Sequence, residues 1–311
     1  MQRFFLLFGA ALRRRRGLSL FLFLGFTLIS GVFALQSRVD NSLAVWQSAD
    51  DPHWLQYQEF VARYHIIDPL IVYLPGIDLL SLEDTAEALK EHTSADTLNS
   101  LEIHSLTGQE AGLFFVVPKA GSGPADLAAL LAEVENVLQQ QGAPYHLGGV
   151  WYLTTLLDQL SAKSTQTLFP VVLAILTMGV VFLVRSFRNI VLVLLCGCIP
   201  ALQITGFMAL CGVKLNMILL ALPPCTMILG IAHAIHLVSK EPDAEHPDGL
   251  SLFAEVAPPS LLSGLTIMIG FFSLFFSNYL PIQQLGLWGA VAGALSLVVS
   301  LILLGLFFEP A

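Results

Sequence analysis

Met227-Ile228-Leu229-Gly230-Ile231-Ala232-His233-Ala234-Ile235-His236-Leu237-Val238-Ser239 puts two imidazoles into a run otherwise apolar enough to lie in a bilayer. An ionisable group at that depth is expensive unless something uses it or pairs with it. Residues three apart on a helix differ by about 300° of rotation. His233 and His236 are therefore expected on one face, about one turn apart and mid-membrane, where they can share a proton, a water or a ligand. The competing reading is that each ring hydrogen-bonds a neighbouring helix and only fixes packing.

The surroundings carry the same signature. The chain is 55% hydrophobic and 12% charged, with a mean hydropathy of +0.74, which is the balance of an integral membrane protein. Of its 23 carboxylates, 17 lie between Asp40 and Asp158 and the other six at or beyond Glu241. The stretch around the histidines thus lacks the usual intramembrane proton carriers, leaving that work to imidazole. Cys196, Cys198, Cys211 and Cys225 all fall in apolar segments. They form no disulfide framework, and Cys196 and Cys198 point to different helix faces, which argues against a metal site. No cofactor is expected.

Taken in order, residues 1–17 form a basic N-terminus ending in Arg13 to Arg16, ahead of an apolar first span at 18–36. Residues 37–166 are polar and acidic. Trp54 to Tyr64 reads as a helix, Ile66 to Leu74 as a strand, Leu82 to Glu91 as a helix, and Leu101 to Leu106 and Leu113 to Val117 as strands joined by a turn at Thr107 to Glu110. Pro124 to Gln140 is expected helical, Tyr145 to Val150 a last strand and Tyr152 to Lys163 a helix. The strand and helix order between Ile66 and Val150, β-α-β-β-α-β, is that of a ferredoxin-like split unit. Five more spans follow within 167–308, at about 168–184, 189–213, 217–239, 258–277 and 285–308, with Leu250 to Val256 interfacial and Pro258-Pro259 opening the fifth. The fold class is an α-helical membrane bundle of six transmembrane helices, 1+5, with an inserted α+β ferredoxin-like extracytoplasmic domain. Eight of the 14 Lys and Arg residues (Arg3, Arg13 to Arg16, Arg185, Arg188 and Lys240) fall on one side of that topology. The positive-inside rule then places both termini in the cytoplasm and residues 37–166 outside.

Four local sequences stand out: Val39-Asp40-Asn41-Ser42-Leu43 after the first span, Phe182 to Arg188 with its Arg185-Ser186-Phe187-Arg188, Gly212-Val213-Lys214-Leu215-Asn216 ahead of the fourth span, and Phe276 to Gly286 between the fifth and sixth. In this order and spacing they resemble one repeat of the RND superfamily, and within it the MMPL-type and sterol-sensing-domain-like transporters. Gly230 to Leu237 is similar to the family's fourth-helix signature, Gly-Ile-Asp-Tyr followed by Ile-His-Leu. His236 matches the family histidine, Ala232 occupies the position of the coupling aspartate and His233 that of the tyrosine. Either His233 carries the relay or this repeat carries no protons.

The resemblance implies a proton-coupled transporter, or half-transporter, of the bacterial cytoplasmic (inner) membrane that exports a lipid-like or hydrophobic molecule. Its coupling candidates are His233 and His236, with Gln203, Asn216 and Asn278 as secondary polar candidates. Amides such as Asn216 and Asn278 at helix ends also serve simply as caps. Family members usually hold two repeats, so the second is expected from a homodimer, a partner chain or a longer gene product. Membrane lipids or a hydrophobic cargo are the other partners. The alternative function is a non-transporting lipid sensor or assembly subunit. An enzyme is not expected, because His53, His65, His92, His104 and His146 show no nucleophile-base or metal-ligand spacing. The acidic outer domain disfavours nucleic acid.

Overall fold

The computed structural model describes every residue except 49, 65–67, 105–109, 120, 143, 239–248 and 309–311. In chain order its helices and strands are α1 (Gln2–Arg14), α2 (Arg16–Ala34), α3 (Leu43–Trp46), α4 (Pro52–Tyr64), β1 (Leu70–Pro75), α5 (Leu79–His92), β2 (Thr97–His104) and β3 (Glu110–Val117). Then come α6 (Pro124–Gln141), β4 (His146–Gly148), α7 (Val150–Leu183), α8 (Phe187–Leu210), α9 (Leu222–Val238), α10 (Gly249–Ser273) and α11 (Leu280–Phe307). Two compact units result, one of residues Met1–Asp40 with Ser161–Ala311, the other of Asn41–Leu160.

The first unit is a helical membrane bundle. Six of its segments are long and apolar enough to cross a membrane, namely α2, α7, α8, Leu219–Val238, Gly249–Phe276 and α11, so the chain is a multi-pass membrane protein. Helices α8, α9 and α11 pack against one another in the middle, α2 leans on α8, and α10 leans on α11. The outer helices turn apolar side chains such as Phe21, Leu28, Met178, Phe182, Leu262 and Ile269 outward, as a surface solvated by acyl chains must. With no hydrophobic drive between helices in lipid, close backbone approach holds such bundles together. Here a Cβ on Gly230 of α9 would collide with the carbonyl oxygen of Cys196 in α8, and one on Gly206 of α8 with the carbonyl oxygen of Ser30 in α2.

The ends of the bundle are tied separately. At one end, Asp40 N–H donates to Leu215 O (2.9 Å) and Leu215 N–H to Arg38 O (2.8 Å), a short parallel bridge reinforced by Lys214 Nζ on Asp40 Oδ2 at 2.7 Å. The lead-out from α2 is thereby joined to the turn between α8 and α9. At the other end, α1 lies across α10 and α11.

The second unit carries a four-stranded sheet in the order β2-β3-β1-β4, with every neighbouring pair antiparallel. This is the ferredoxin-like arrangement expected from the element order. Leu70, Val72, Leu74, Phe114 and Val116 point from the sheet into a core completed by Leu82 and Leu89 of α5 and Leu130, Val134 and Leu138 of α6. Asp78 caps α5 by accepting from Ser81 N–H at 3.2 Å, and Asp126 accepts from Gly123 N–H at the start of α6. Gly142 closes α6 in the left-handed region at φ 69°, a conformation that costs glycine nothing.

Some boundaries differ from the sequence expectation. Residues 1–17 hold the helix α1. The inserted unit runs from Asn41 to Leu160 instead of 37–166, because Arg38 to Asp40 bridge to Leu215 and α7 enters the bundle from Ser161. The expected helix at 152–163 and second span form one helix, α7, and Val150 belongs to it instead of to β4. Pro258 and Pro259 do not open the fifth span; they lie inside α10. Each proline removes one backbone hydrogen bond, those otherwise accepted by the Ala254 and Glu255 carbonyls, which a membrane helix tolerates when neighbours pack around it. The expected turn at Thr107 to Glu110 lies outside the described residues, apart from Glu110, which begins β3.

Gly230→Ala should lower the thermal stability of the detergent-solubilised protein by about 1–3 kcal/mol through overpacking. Gly179→Ala in α7, where an added Cβ meets nothing within 4 Å, should leave it unchanged or slightly higher. A circular-dichroism melt of both variants checks the pair. Hydrogen bonding to Ser81 also holds the Asp78 carboxyl below its usual range. Its contribution is therefore complete above the ordinary aspartate value of about 3.9 and lost as pH falls through the lower folded value. Asp78→Ala should destabilise at pH 7 and make no difference in strong acid.

Candidate functional site

His233 is reached through the glycine contact between α8 and α9. Gly197 and Gly230 bring the two backbones together, and Ser300 Oγ of α11 donates to Gly230 O at 3.3 Å. These contacts fix the rotation of α9, turning His233 inward with 5% of its surface exposed. Its Nε2 is buried and has no hydrogen-bond partner among the described residues. The ring borders a cavity of about 10 Å³ between α9, α10 and α11, whose lining includes Phe253, Ala257, Ser260, Leu297, Ser300 and Leu304. A cavity that size is at the lower limit for one water.

The polar groups around it are few. Ser260 and Ser300, both buried, supply hydroxyls that donate or accept by rotation. Among the described residues, no carboxylate lines the cavity. Glu255, one turn before Pro259 on α10, is absent from that lining. The arrangement suits one water or proton shared between an imidazole and two hydroxyls.

The structure separates the two histidines. Whereas His233 is buried, His236 is exposed on the outer side of α9, in a stripe with Cys225, Ile228 and Ala232. Three residues leave a 60° offset, enough to straddle the burial boundary of a helix in the middle of the bundle. His233 is five residues before Val238, about 7–8 Å at the helical rise, and His236 is in the last described turn.

The secondary candidates do not join this site. Gln203 of α8 is buried and donates from Nε2 to Thr27 Oγ1 of α2 at 2.8 Å, with Oε1 lacking a partner among the described residues. Asn216 is fully buried, and its Oδ1 accepts from the N–H groups of Ile218 (3.0 Å) and Leu219 (2.8 Å), which makes it the cap of the turn that leads into α9. Asn278 is exposed in the turn between α10 and α11. Ser260 and Ser300, in contrast, escaped sequence reasoning. The spacing of Ser296 and Ser300 four apart in an apolar run was their one local signal, and both are buried.

No protein-family model matches the chain, and no curated protein matches it in sequence. Among solved structures, it is similar to a heavy metal efflux pump at 12% identity and a TM-score of 0.47 in one crystal form, covering 85% of this chain and 40% of that one. A second crystal form of such a pump gives 13% identity and a TM-score of 0.44 over 85% and 40%. SecDF, a translocon-associated membrane protein from Thermus thermophilus, is similar at 11% identity and a TM-score of 0.43, covering 93% of this chain and 37% of that one. The chain thus spans about two-fifths of the length of these proteins.

A buried polar atom without a partner costs stability, about 1–3 kcal/mol. His233→Leu should therefore raise the melting temperature of the purified protein, whereas a histidine kept for packing would lower it on removal. Ser300→Ala should lose about 0.5–1.5 kcal/mol with its bond to Gly230. Calorimetry on the two variants reads both signs.

Proposed function

We propose that the chain is one repeat of an RND-type membrane transporter, of the MMPL or sterol-sensing-domain-like kind, which exports a lipid-like or hydrophobic molecule with protons as the driving ion. The observation that carries this reading is the unpartnered Nε2 of His233, buried beside Ser260 and Ser300. An ionisable residue retained at membrane depth with no protein partner among the described residues points to use. His233 takes and releases the proton, with one water between it and the two hydroxyls. Ala232, at the family's aspartate position, is on the exposed stripe of α9 and takes no part.

Two further features support the rest of the reading. The stripe of Cys225, Ile228, Ala232 and His236 lies exposed on a helix otherwise central to the bundle. A second repeat, from another copy or a partner chain, covers it and gives His236 its neighbours, as paired repeats do in transporters. In the α+β unit, Ile71, Tyr73, Leu113, Phe115 and Val117 stand half-buried on the sheet face away from the core, an apolar surface suited to a hydrophobic cargo. The arginines before α2 put both termini in the cytoplasm of a bacterial inner-membrane protein.

A non-transporting lipid sensor or assembly subunit is the second reading, favoured by the absence of a carboxylate from the described cavity lining. Proteoliposomes holding the full chain, with a fluorescent phospholipid as reporter, separate the two. The transporter reading expects movement that stops when the pH gradient is collapsed, and the same loss in His233→Ala. Movement indifferent to both, or none in either direction, leaves the sensor reading.

A further inference from the structure

Arg13 to Arg16 are consecutive, and the structure divides them. Arg13 turns into the bundle, where Nε donates to Gly305 O at 2.9 Å and Nη2 to Phe308 O at 3.1 Å. It satisfies carbonyls that the end of α11 leaves open and places a cation at the negative end of its dipole. Arg16 lies over the Phe307 ring, 4.8 Å from its centroid. Arg14 and Arg15 are exposed, and among the described residues no carboxylate pairs with them.

Helix α1 has two contrasting sides. On the inner one, Phe5 meets Phe253 edge to face and Gly9 abuts Leu250 and Phe253 of α10. On the other, Phe4 is 65% and Leu7 72% exposed, with Arg3 and Arg14 along the same side. Its 13 residues are too few to cross a bilayer, which takes about 20. One residue separates it from the span α2, and Arg13 pins it to the end of the span α11. It therefore lies where the spans leave the hydrocarbon, and there exposed phenylalanine and leucine sink to the acyl boundary while arginines reach upward.

We propose that α1 is an interfacial helix whose Arg14 and Arg15 bind the headgroups of anionic phospholipids. A guanidinium grips a phosphodiester with two parallel hydrogen bonds. A net negative headgroup is preferred over a zwitterionic one because the choline or ethanolamine cation of the latter repels the same arginines. Each basic residue at an anionic surface contributes about 1 kcal/mol, close to a fivefold gain in binding. The pair thus gives selectivity to a helix whose depth Phe4 and Leu7 set.

The test uses the full chain in detergent micelles, titrated with phosphatidylglycerol or with phosphatidylcholine of the same acyl chains. Bound lipid is counted by native mass spectrometry, and the melting temperature is followed in parallel. The wild type should retain phosphatidylglycerol preferentially and melt higher in it. In Arg14→Gln/Arg15→Gln the apparent affinity for phosphatidylglycerol should fall by roughly 25-fold, two factors of about five, with the melting temperature in phosphatidylcholine unchanged. Independently of any variant, the wild-type preference should fade in about 0.5 M salt, where the Debye length is only a few ångströms. Equal retention of the two lipids by the wild type, a preference insensitive to salt, or an undiminished preference in the double variant would each overturn the proposal.

Discussion

Close contact between two helix backbones is the constraint on which the bundle depends. In acyl chains, apolar side chains gain little by leaving their surroundings, so helices associate by fitting together and by sharing hydrogen bonds. Gly197 and Gly230 let α8 and α9 meet at backbone distance, and the Ser300 hydroxyl draws α11 onto the same point. The rotation of α9 follows from that junction, and with it the choice of which histidine faces inward. The position of the polar site is thus set by packing geometry.

A second consequence is the contrast between the inner and outer helices. Helices α8, α9 and α11 bury small and polar residues such as Gly197, Gln203, Thr226, Ser296 and Ser300. Helices α2, α7 and α10 carry mostly large aliphatic and aromatic groups outward. Buried polar groups thus concentrate on the inner helices, which is the distribution that an apolar solvent imposes.

Much of this was legible in the residues alone. Long apolar runs located the spans, and alternation of periods 2 and 3.6 recovered the β-α-β-β-α-β order, because both signals are local and repeat over many residues. Helix α1 was missed because its arginines made the segment look like a charged flank, although Phe5, Gly9 and Arg13 recur at four-residue spacing on the side that docks. Pro258-Pro259 looked like a helix start because prolines are welcome there; only the packing of α10 on α11 shows the helix continuing through them. His233 and His236 differ by 60° around one helix, and no one-dimensional pattern tells which of two such positions meets a neighbour. Ser260 and Ser300 come from separate spans, so their convergence is a tertiary fact.

The adjacent prolines have one mechanical result. Helix stiffness resides in its ladder of i to i+4 bonds, and α10 lacks two successive rungs, at the Ala254 and Glu255 carbonyls. Its bending modulus is lowest there, while Ala257 and Ser260 on either side form part of the wall facing His233. A flexural soft spot therefore coincides with the level of the imidazole, on the wall opposite the glycine-locked pair α8 and α9.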